Sequence, residues 1–320
     1  MVVFDGKKKH CRVCCSAEVQ RYGKSRQAKQ RWRCTRCGCT FIWSNNTNKR
    51  LRQQIWFKRW IIEGYTLRQL ASQSGHSIST LQRMIRYWLG HPPVNNIDLT
   101  PYRYLILDGT FLDRRKGVFA VMSAERRCVI YGAPEMAEGP AHLYPFCCAL
   151  AQQGLTPRSA TVDGNPHLMR ILRLVWPKIL IQRCLVHIQR QGLSWCRQHP
   201  KRSDAKHLRS LFLQVMSIQT VWQRDRFLSQ LRAWERRYGT QIARSPEKGW
   251  VFSDLKRARS MLLTALPDMF RYLDDPNIAT STNPLEGYFA RLKHKYRQHR
   301  GLARHHRDAY FRWYLHLCPH

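Results

Sequence analysis

Apolar positions along this chain follow two different rhythms. Between residues 50 and 90 they recur at helical spacing: Ile55, Trp56, Trp60 and Ile61 share one face, and Gly64 ends that helix. Residues 66–71, a break at Ser74-Gly75-His76, and residues 77–86 then predict helix, glycine-containing turn, helix. From residue 102 the apolar positions form short unbroken runs. Residues 104–107, 118–122 and 128–131 predict three consecutive strands, the first covered on both faces. Residues 138–153 return to helical spacing through Leu143, Phe146, Cys147 and Leu150. A strand at 159–162, a helix at 166–176 and a strand at 178–181 follow. The order β-β-β-α-β-α-β predicts an α/β domain with mixed strand pairing. Residues 208–216, 221–238 and 255–266 predict helices, with Trp222, Phe227, Leu231 and Trp234 as a core stripe, and a last helix opens near Asn283-Pro284.

Composition says what such a scaffold is for. The 320 residues carry 55 Lys and Arg against 20 Asp and Glu, a formal net charge of +35. That excess is several times the magnitude of about 2–8 usual for a small soluble domain, and it predicts a polyanionic partner. An anionic membrane surface is the other partner such charge suits. No run of about 18 apolar residues predicts a membrane span, and the N-terminus lacks the apolar segment of a signal peptide. The 12 cysteines are spread along the chain, so reduced thiols in the cytoplasm are expected, with one cluster on metal.

That cluster is Cys11-x2-Cys14 followed, after 19 residues, by Cys34-x2-Cys37. Each knuckle offers two thiolates to one tetrahedral ion, and four thiolates close the shell, so a structural Zn²⁺ is expected. Cys15 and Cys39 lie beside these ligands as possible competitors, and the residues between the knuckles read as a basic, aromatic hairpin. Residues 1–44 are thus expected to form a zinc ribbon, and 45–95 a helix-turn-helix domain. Ser79, Thr80, Gln82 and Arg83, near the start of its second helix, are suited to base edges or phosphates.

Three acids stand where a DNA-binding protein should avoid a carboxylate. Asp108 ends the apolar run 104–107, Asp163 ends the run 160–162, and Glu286 opens the last helix. Strand ends in open α/β sheets are where ligands bind, and two neighbouring carboxylates repel unless protonated or bridged by cations. Hard divalent ions, Mg²⁺ or Mn²⁺, suit these ligands. Asp113, five residues past Asp108, would face the opposite side and is a poor substitute. Glu286 also has a plain structural reading, with Asn283 as N-cap, Pro284 at the first helical position and Glu286 at the third.

Taken in order, Leu107-Asp108-Gly109-Thr110, Thr161-Val162-Asp163-Gly164, Gln182-Arg183-Cys184-Leu185-Val186-His187, Thr282-Asn283-Pro284-Leu285-Glu286-Gly287 and Gln298-His299-Arg300-Gly301-Leu302 cover nearly the whole chain. This array resembles the DDE transposases, and more narrowly the bacterial insertion-sequence transposases related to eukaryotic Mutator elements, in the variant with an N-terminal zinc ribbon. The resemblance implies a ribonuclease-H-like catalytic core over residues 100–320, with an all-helical insertion at about 200–275. It implies Asp108, Asp163 and Glu286 as the catalytic triad holding two Mg²⁺ or Mn²⁺ ions. It matches Cys184 and His187 to a Cys-x2-His signature, taken here as support for the catalytic core. Asn283 belongs to the same supporting set. Arg291 and Lys293 begin a cationic tail with Arg297, His299, Arg300 and Arg304 to Arg307, expected to track the phosphodiester backbone. The implied activity is metal-dependent cleavage and strand transfer on double-stranded DNA, by a homodimer or larger assembly, in a nucleoid-associated bacterial protein. The alternatives are a catalytically inactive, transposase-derived DNA-binding regulator and a structure-specific nuclease.

Overall fold

The structure, a computed structural model of the chain, describes residues 9–11, 13–42, 46–94, 97–111, 117–137, 139–244, 250–299 and 301–320. Asp113 and Arg300 lie outside the described residues. The chain divides into two compact units, Met1–Phe57 and Lys58–His320. Among the described residues no helix is long and apolar enough to cross a membrane.

The first unit is built on an antiparallel sheet of β1 (Val19–Lys24), β2 (Gln30–Cys34) and β3 (Thr40–Ile42), in that order. Trp32 pairs with Arg21 on one side and Phe41 on the other, and the Lys9 ammonium lies 3.7 Å from its ring centroid. With so few apolar side chains to bury, a sheet of this size needs a covalent or metal staple. Helix α1 (Asn46–Ile62) begins in this unit and ends in the next.

In the second unit, α2 (Leu67–Ser74) starts at a reciprocal capping box between Thr66 and Gln69 and stops at Gly75, which is left-handed with φ 67°. Helix α3 (Ile78–Leu89) follows from the N-cap Ser77 and buries Leu81, Met84, Ile85 and Leu89, one apolar stripe at helical spacing.

The sheet of this unit has five strands: β4 (Tyr104–Phe111), β5 (Gly117–Ser123), β6 (Cys128–Met136), β7 (Ser159–Val162) and β8 (Leu180–Arg183). Their order is β6-β5-β4-β7-β8, with β4, β7 and β8 parallel and β5 and β6 antiparallel. Side chains alternate between faces along each strand. Leu105, Leu107, Phe119, Val121, Ala160, Val162 and Ile181 face one way, into a core closed by α4 (Pro140–Gln152) and α5 (Pro166–Val175). Ile106 and Thr161 face the other way, and α11 (Asn283–Arg297) packs against β4. The Thr161 hydroxyl donates to the Ala279 carbonyl at 2.6 Å, and the Leu185 amide donates to the Thr280 carbonyl at 3.0 Å. Those two bonds fix the segment that leads into α11.

A second core is wholly helical. It joins α6 (Leu185–Cys196), α7 (Ser203–Gln214), α8 (Val221–Trp234), a π-helical turn (Glu235–Gly239), α9 (Thr240–Arg244) and α10 (Trp250–Ala265). The last helix, α12 (Arg304–Leu317), packs on β6 and α3, and the Trp313 indole donates to the Trp88 carbonyl at 2.8 Å.

Two sequence expectations are corrected. Strand β4 does not stop at Asp108. Pairing with β5 continues through Gly109–Phe119, Thr110–Val118 and Phe111–Gly117, so Asp108 sits inside the strand, opposite Ala120. Helix α11 also starts one residue earlier than its Pro suggests. The Thr282 carbonyl accepts from the amides of Leu285 and Glu286, which makes Thr282 the N-cap and puts Asn283 at the first helical position and Glu286 at the fourth.

Gly192 supplies a test of this packing. It lies inside α6, where alanine is normally better by about 1 kcal/mol, but a Cβ there would lie 2.2 Å from the fully buried Phe212 ring. Gly192→Ala is expected to destabilise the protein by about 1–3 kcal/mol, read as a lower urea midpoint at unchanged slope.

Candidate active site and metal centre

The four cysteines Cys11, Cys14, Cys34 and Cys37 lie together, with their sulfur atoms all within 4.8 Å of one another, and can bind a metal such as zinc. The Cys11–Cys37 and Cys14–Cys34 sulfur separations are 3.4 and 3.5 Å. A tetrahedral ion with Zn–S bonds of 2.3 Å spaces its sulfurs about 3.8 Å apart, so the cluster fits after a slight expansion. Backbone amides of Cys14 and Val13 hold the Cys11 thiol down at about 6, which favours the thiolate a metal needs. Cys15 is exposed, and the Cys39 sulfur points to the Thr40 carbonyl at 3.8 Å, so neither is part of the cluster.

In the second unit, parallel pairing decides where the acids go. Leu105 is in register with Ala160 and Ile106 with Thr161. Two residues on, the same register sets Asp108 beside Asp163, on the face shared by Ile106 and Thr161. Asp163 follows the last residue of β7 and accepts the Asn165 amide at 2.9 Å, in the turn before α5. Gly164 has φ 108°, and a Cβ there would lie 2.1 Å from the Arg183 guanidinium, so only glycine lets that side chain pass. Arg183 is buried and donates to the Asp163 carbonyl at 3.4 Å rather than to its carboxylate.

Glu286 reaches the same face from α11. Its carboxylate lies 3.7 Å from His187 Nε2 and 3.9 Å from Arg190 Nη1, and it accepts the Thr282 hydroxyl at 3.2 Å. These contacts dispose of the capping explanation, since the carboxylate is engaged by side chains of α6 and by the cap residue itself. Burial first, and then the neighbouring Asp163 charge, push the Asp108 carboxyl up to about 7, and Glu286 adds to the repulsion. Asp108 therefore feels the charges of both other acids. The three do not form a single tight cage: among the described residues, the cysteines alone bring three or more ligand atoms within 4.8 Å.

The other buried acids of this unit differ. Asp204 is paired with Arg202 at 2.7 Å, Asp268 with Arg173 at 2.6 Å and Asp275 with Arg158 at 2.9 Å. Among the described residues the Asp108 carboxylate accepts the amide of Gly109, at 2.8 Å, and has no lysine or arginine partner. An acid without such a partner beside a second acid is a place for a proton or a bound cation.

Cys184 and His187 stand one turn apart at the start of α6. Burial pushes the Cys184 thiol up, but hydrogen bonds with His187 and Thr282 outweigh it and hold the group below its ordinary value. The same Cys184 contact, joined by the charges of Cys184, Glu286 and Asp108, raises His187. Asn283 is exposed, Arg291 is exposed and lies 5.8 Å over the Tyr288 ring, and Lys293 is half-buried. His299 leaves the expected cationic tail: it is buried against Trp60, its Nε2–H donates to the Trp60 carbonyl at 3.0 Å, and burial lowers it to about 4. On α3, Ser79, Gln82 and Arg83 are exposed, whereas Thr80 is half-buried and serves the Ser77 cap while accepting from Arg83 at 3.2 Å.

Sequence reasoning missed Arg183, Arg190 and Thr282 as individual contributors. Arg183 left a signal, because a Gln-Arg pair closing an otherwise apolar strand must find buried partners. A scan against protein families gives no match, and a search of curated proteins finds no relative.

Two predictions follow from this geometry. Purified protein should carry about one zinc per chain, and Cys34→Ser should lose it, measured by atomic absorption with loss of Trp32 near-UV dichroism. In metal-free protein, Asp108 binds its proton more tightly folded than unfolded. Its stabilising effect is complete below pH about 4 and is lost as pH rises to about 7. Asp108→Asn should therefore raise the melting temperature at pH 8 and change it little at pH 4, with a difference on the order of 2–4 kcal/mol.

Proposed function

We propose that this protein is a DNA transposase of the DDE type, with Asp108, Asp163 and Glu286 as its metal-binding acids on a ribonuclease-H-like core. The observation that carries the reading is Asp108 in β4 beside Asp163 at the end of the neighbouring parallel strand β7, the half-buried Asp108 feeling the Asp163 charge and having no lysine or arginine partner among the described residues, in a chain of net charge +35. A protein this basic gains nothing by keeping bare carboxylates beside a phosphodiester unless cations stand between them.

Asp108 and Asp163 would hold the ions from the sheet and Glu286 from α11. When bound, two Mg²⁺ or Mn²⁺ ions activate water and then a DNA 3′-hydroxyl, and stabilise the leaving oxygen of an in-line displacement. The chain itself supplies position and charge. Arg190 presents a cation near Glu286, and the exposed Arg291 of α11 and Gln82, Arg83 and Arg86 of α3 offer groups for DNA. The four-cysteine unit would hold its basic hairpin rigid for the same partner. Two element ends handled together call for at least two copies of the chain on DNA.

The test is an assay of end cleavage and strand transfer with Mg²⁺ or Mn²⁺. Asp163→Asn is expected to abolish both while leaving duplex binding intact by electrophoretic shift. Cleavage without joined products would indicate a structure-specific nuclease. DNA binding with neither reaction in the native chain would indicate a regulator.

A further inference from the structure

The N-cap of α11 does not behave as a cap. Threonine at this position normally accepts an amide from the first turn with its hydroxyl, yet the Thr282 side chain makes no such bond. Thr282 is completely buried. Its hydroxyl lies 3.2 Å from Glu286 Oε1, 3.4 Å from His187 Nδ1 and 3.5 Å from Cys184 Sγ, and its amide donates to that sulfur at 3.4 Å. A helix start has given up its own amide partner so that one hydroxyl can meet three side chains.

A hydroxyl has a single proton to give. The carboxylate is the strongest acceptor of the three, so the proton goes to Glu286 Oε1. The oxygen is then left to accept from His187 Nδ1–H, while Cys184 Sγ accepts the Thr282 amide. This gives a directed chain from His187 through the Thr282 hydroxyl to Glu286, with Thr282 held at its backbone by Cys184, that joins α6 to α11. His187 closes it from the far side, its Nε2 lying 3.7 Å from the same Glu286 oxygen. Glu286 sits on a solvated helix end, with a third of its side chain exposed. Without such a tether its rotamers would point equally well to water.

We propose that Thr282 is a positioning residue, which holds the Glu286 carboxylate toward Asp108 and Asp163 and so sets its fitness to share a divalent ion. The inference rests on the metal-binding reading of the three acids. His187 acts through this hydroxyl, and Cys184 through the amide of the same residue, rather than as ligands of their own.

The experiment compares Thr282→Val, which keeps shape and removes the hydroxyl, with Thr282→Ser, which keeps the hydroxyl. Both are made in the full zinc-loaded chain, alone and combined with Glu286→Gln. Mn²⁺ affinity is read by electron paramagnetic resonance and strand transfer by gel. Thr282→Val should weaken Mn²⁺ binding and strand transfer by about 10–100-fold at an unchanged melting temperature, and Thr282→Ser should stay near wild type in both. In the Glu286→Gln background Thr282→Val should cost nothing more. Wild-type affinity in Thr282→Val, equal loss in Thr282→Ser, or additive loss in the double variant would each overturn the proposal. Thr282→Val that fails to fold beside an active Thr282→Ser is decided by Thr282→Ala on the same readouts. Native protein that binds no Mn²⁺ overturns the metal-site reading itself, and the proposal with it.

Discussion

A carboxylate taken out of water needs a proton, a cation or several hydrogen-bond donors, and whichever it lacks the surrounding fold must tolerate. In this protein that constraint is concentrated on Asp108. Strand β4 cannot place it elsewhere, because Leu105 and Leu107 are committed to the core under α4 and α5, and alternation then sends Ile106 and Asp108 to the opposite face. A slip of one residue would expose the leucines and bury the acid in hydrocarbon. The parallel ladder to β7 carries the same parity across and brings Asp163 alongside. The hydrophobic register of one strand pair is thus also the geometry of the candidate site.

The remaining pieces are arranged around that face. The bonds from Thr161 to Ala279 and from Leu185 to Thr280 anchor the approach to α11 at the ends of β7 and β8. Helix α6 leaves β8 directly, so His187 lies in its first turn and Arg190 in its second, on the side that Glu286 faces. Gln182, buried in β8, donates to the Met269 carbonyl at 2.8 Å and so ties the helical block back to the sheet. The helical block has a core of its own, with Leu208, Phe212, Phe227, Leu255 and Leu262 at its centre. It therefore acts as a rigid flank to the site rather than a loose excursion.

Charge explains why buried acids are managed so differently in one molecule. Asp204, Asp268 and Asp275 each meet an arginine, and in a chain with 55 Lys and Arg such partners are abundant. Among the described residues Asp108 has none, which is a property of the site and not of a shortage. Arg183, beside Asp163, is turned toward the backbone by the passage that Gly164 opens. The same abundance of cations on the outside, including Arg83, Arg86 and Arg291, is the charge on which the proposed binding of a polyanion rests.

The sequence alone determined what short-range chemistry dictates. Two C-x2-C knuckles specify a four-sulfur cluster because each knuckle is a local turn. The helix pair closed by Gly75, the strands and the helical stretches followed from apolar periodicity, since burial on one face leaves a local trace. Asp108 and Asp163 were legible as candidates because an acid ending an apolar run is itself a local anomaly. Tertiary structure decided the rest: that β4 continues past Asp108, that His299 is buried beside Trp60, and that Glu286 is gripped by side chains instead of capping its helix. Thr282 meets Cys184 across 98 residues of chain and Thr161 meets Ala279 across 118. Such neighbours are chosen by how whole elements pack, and no periodicity in a single strand or helix records which distant element will lie against it.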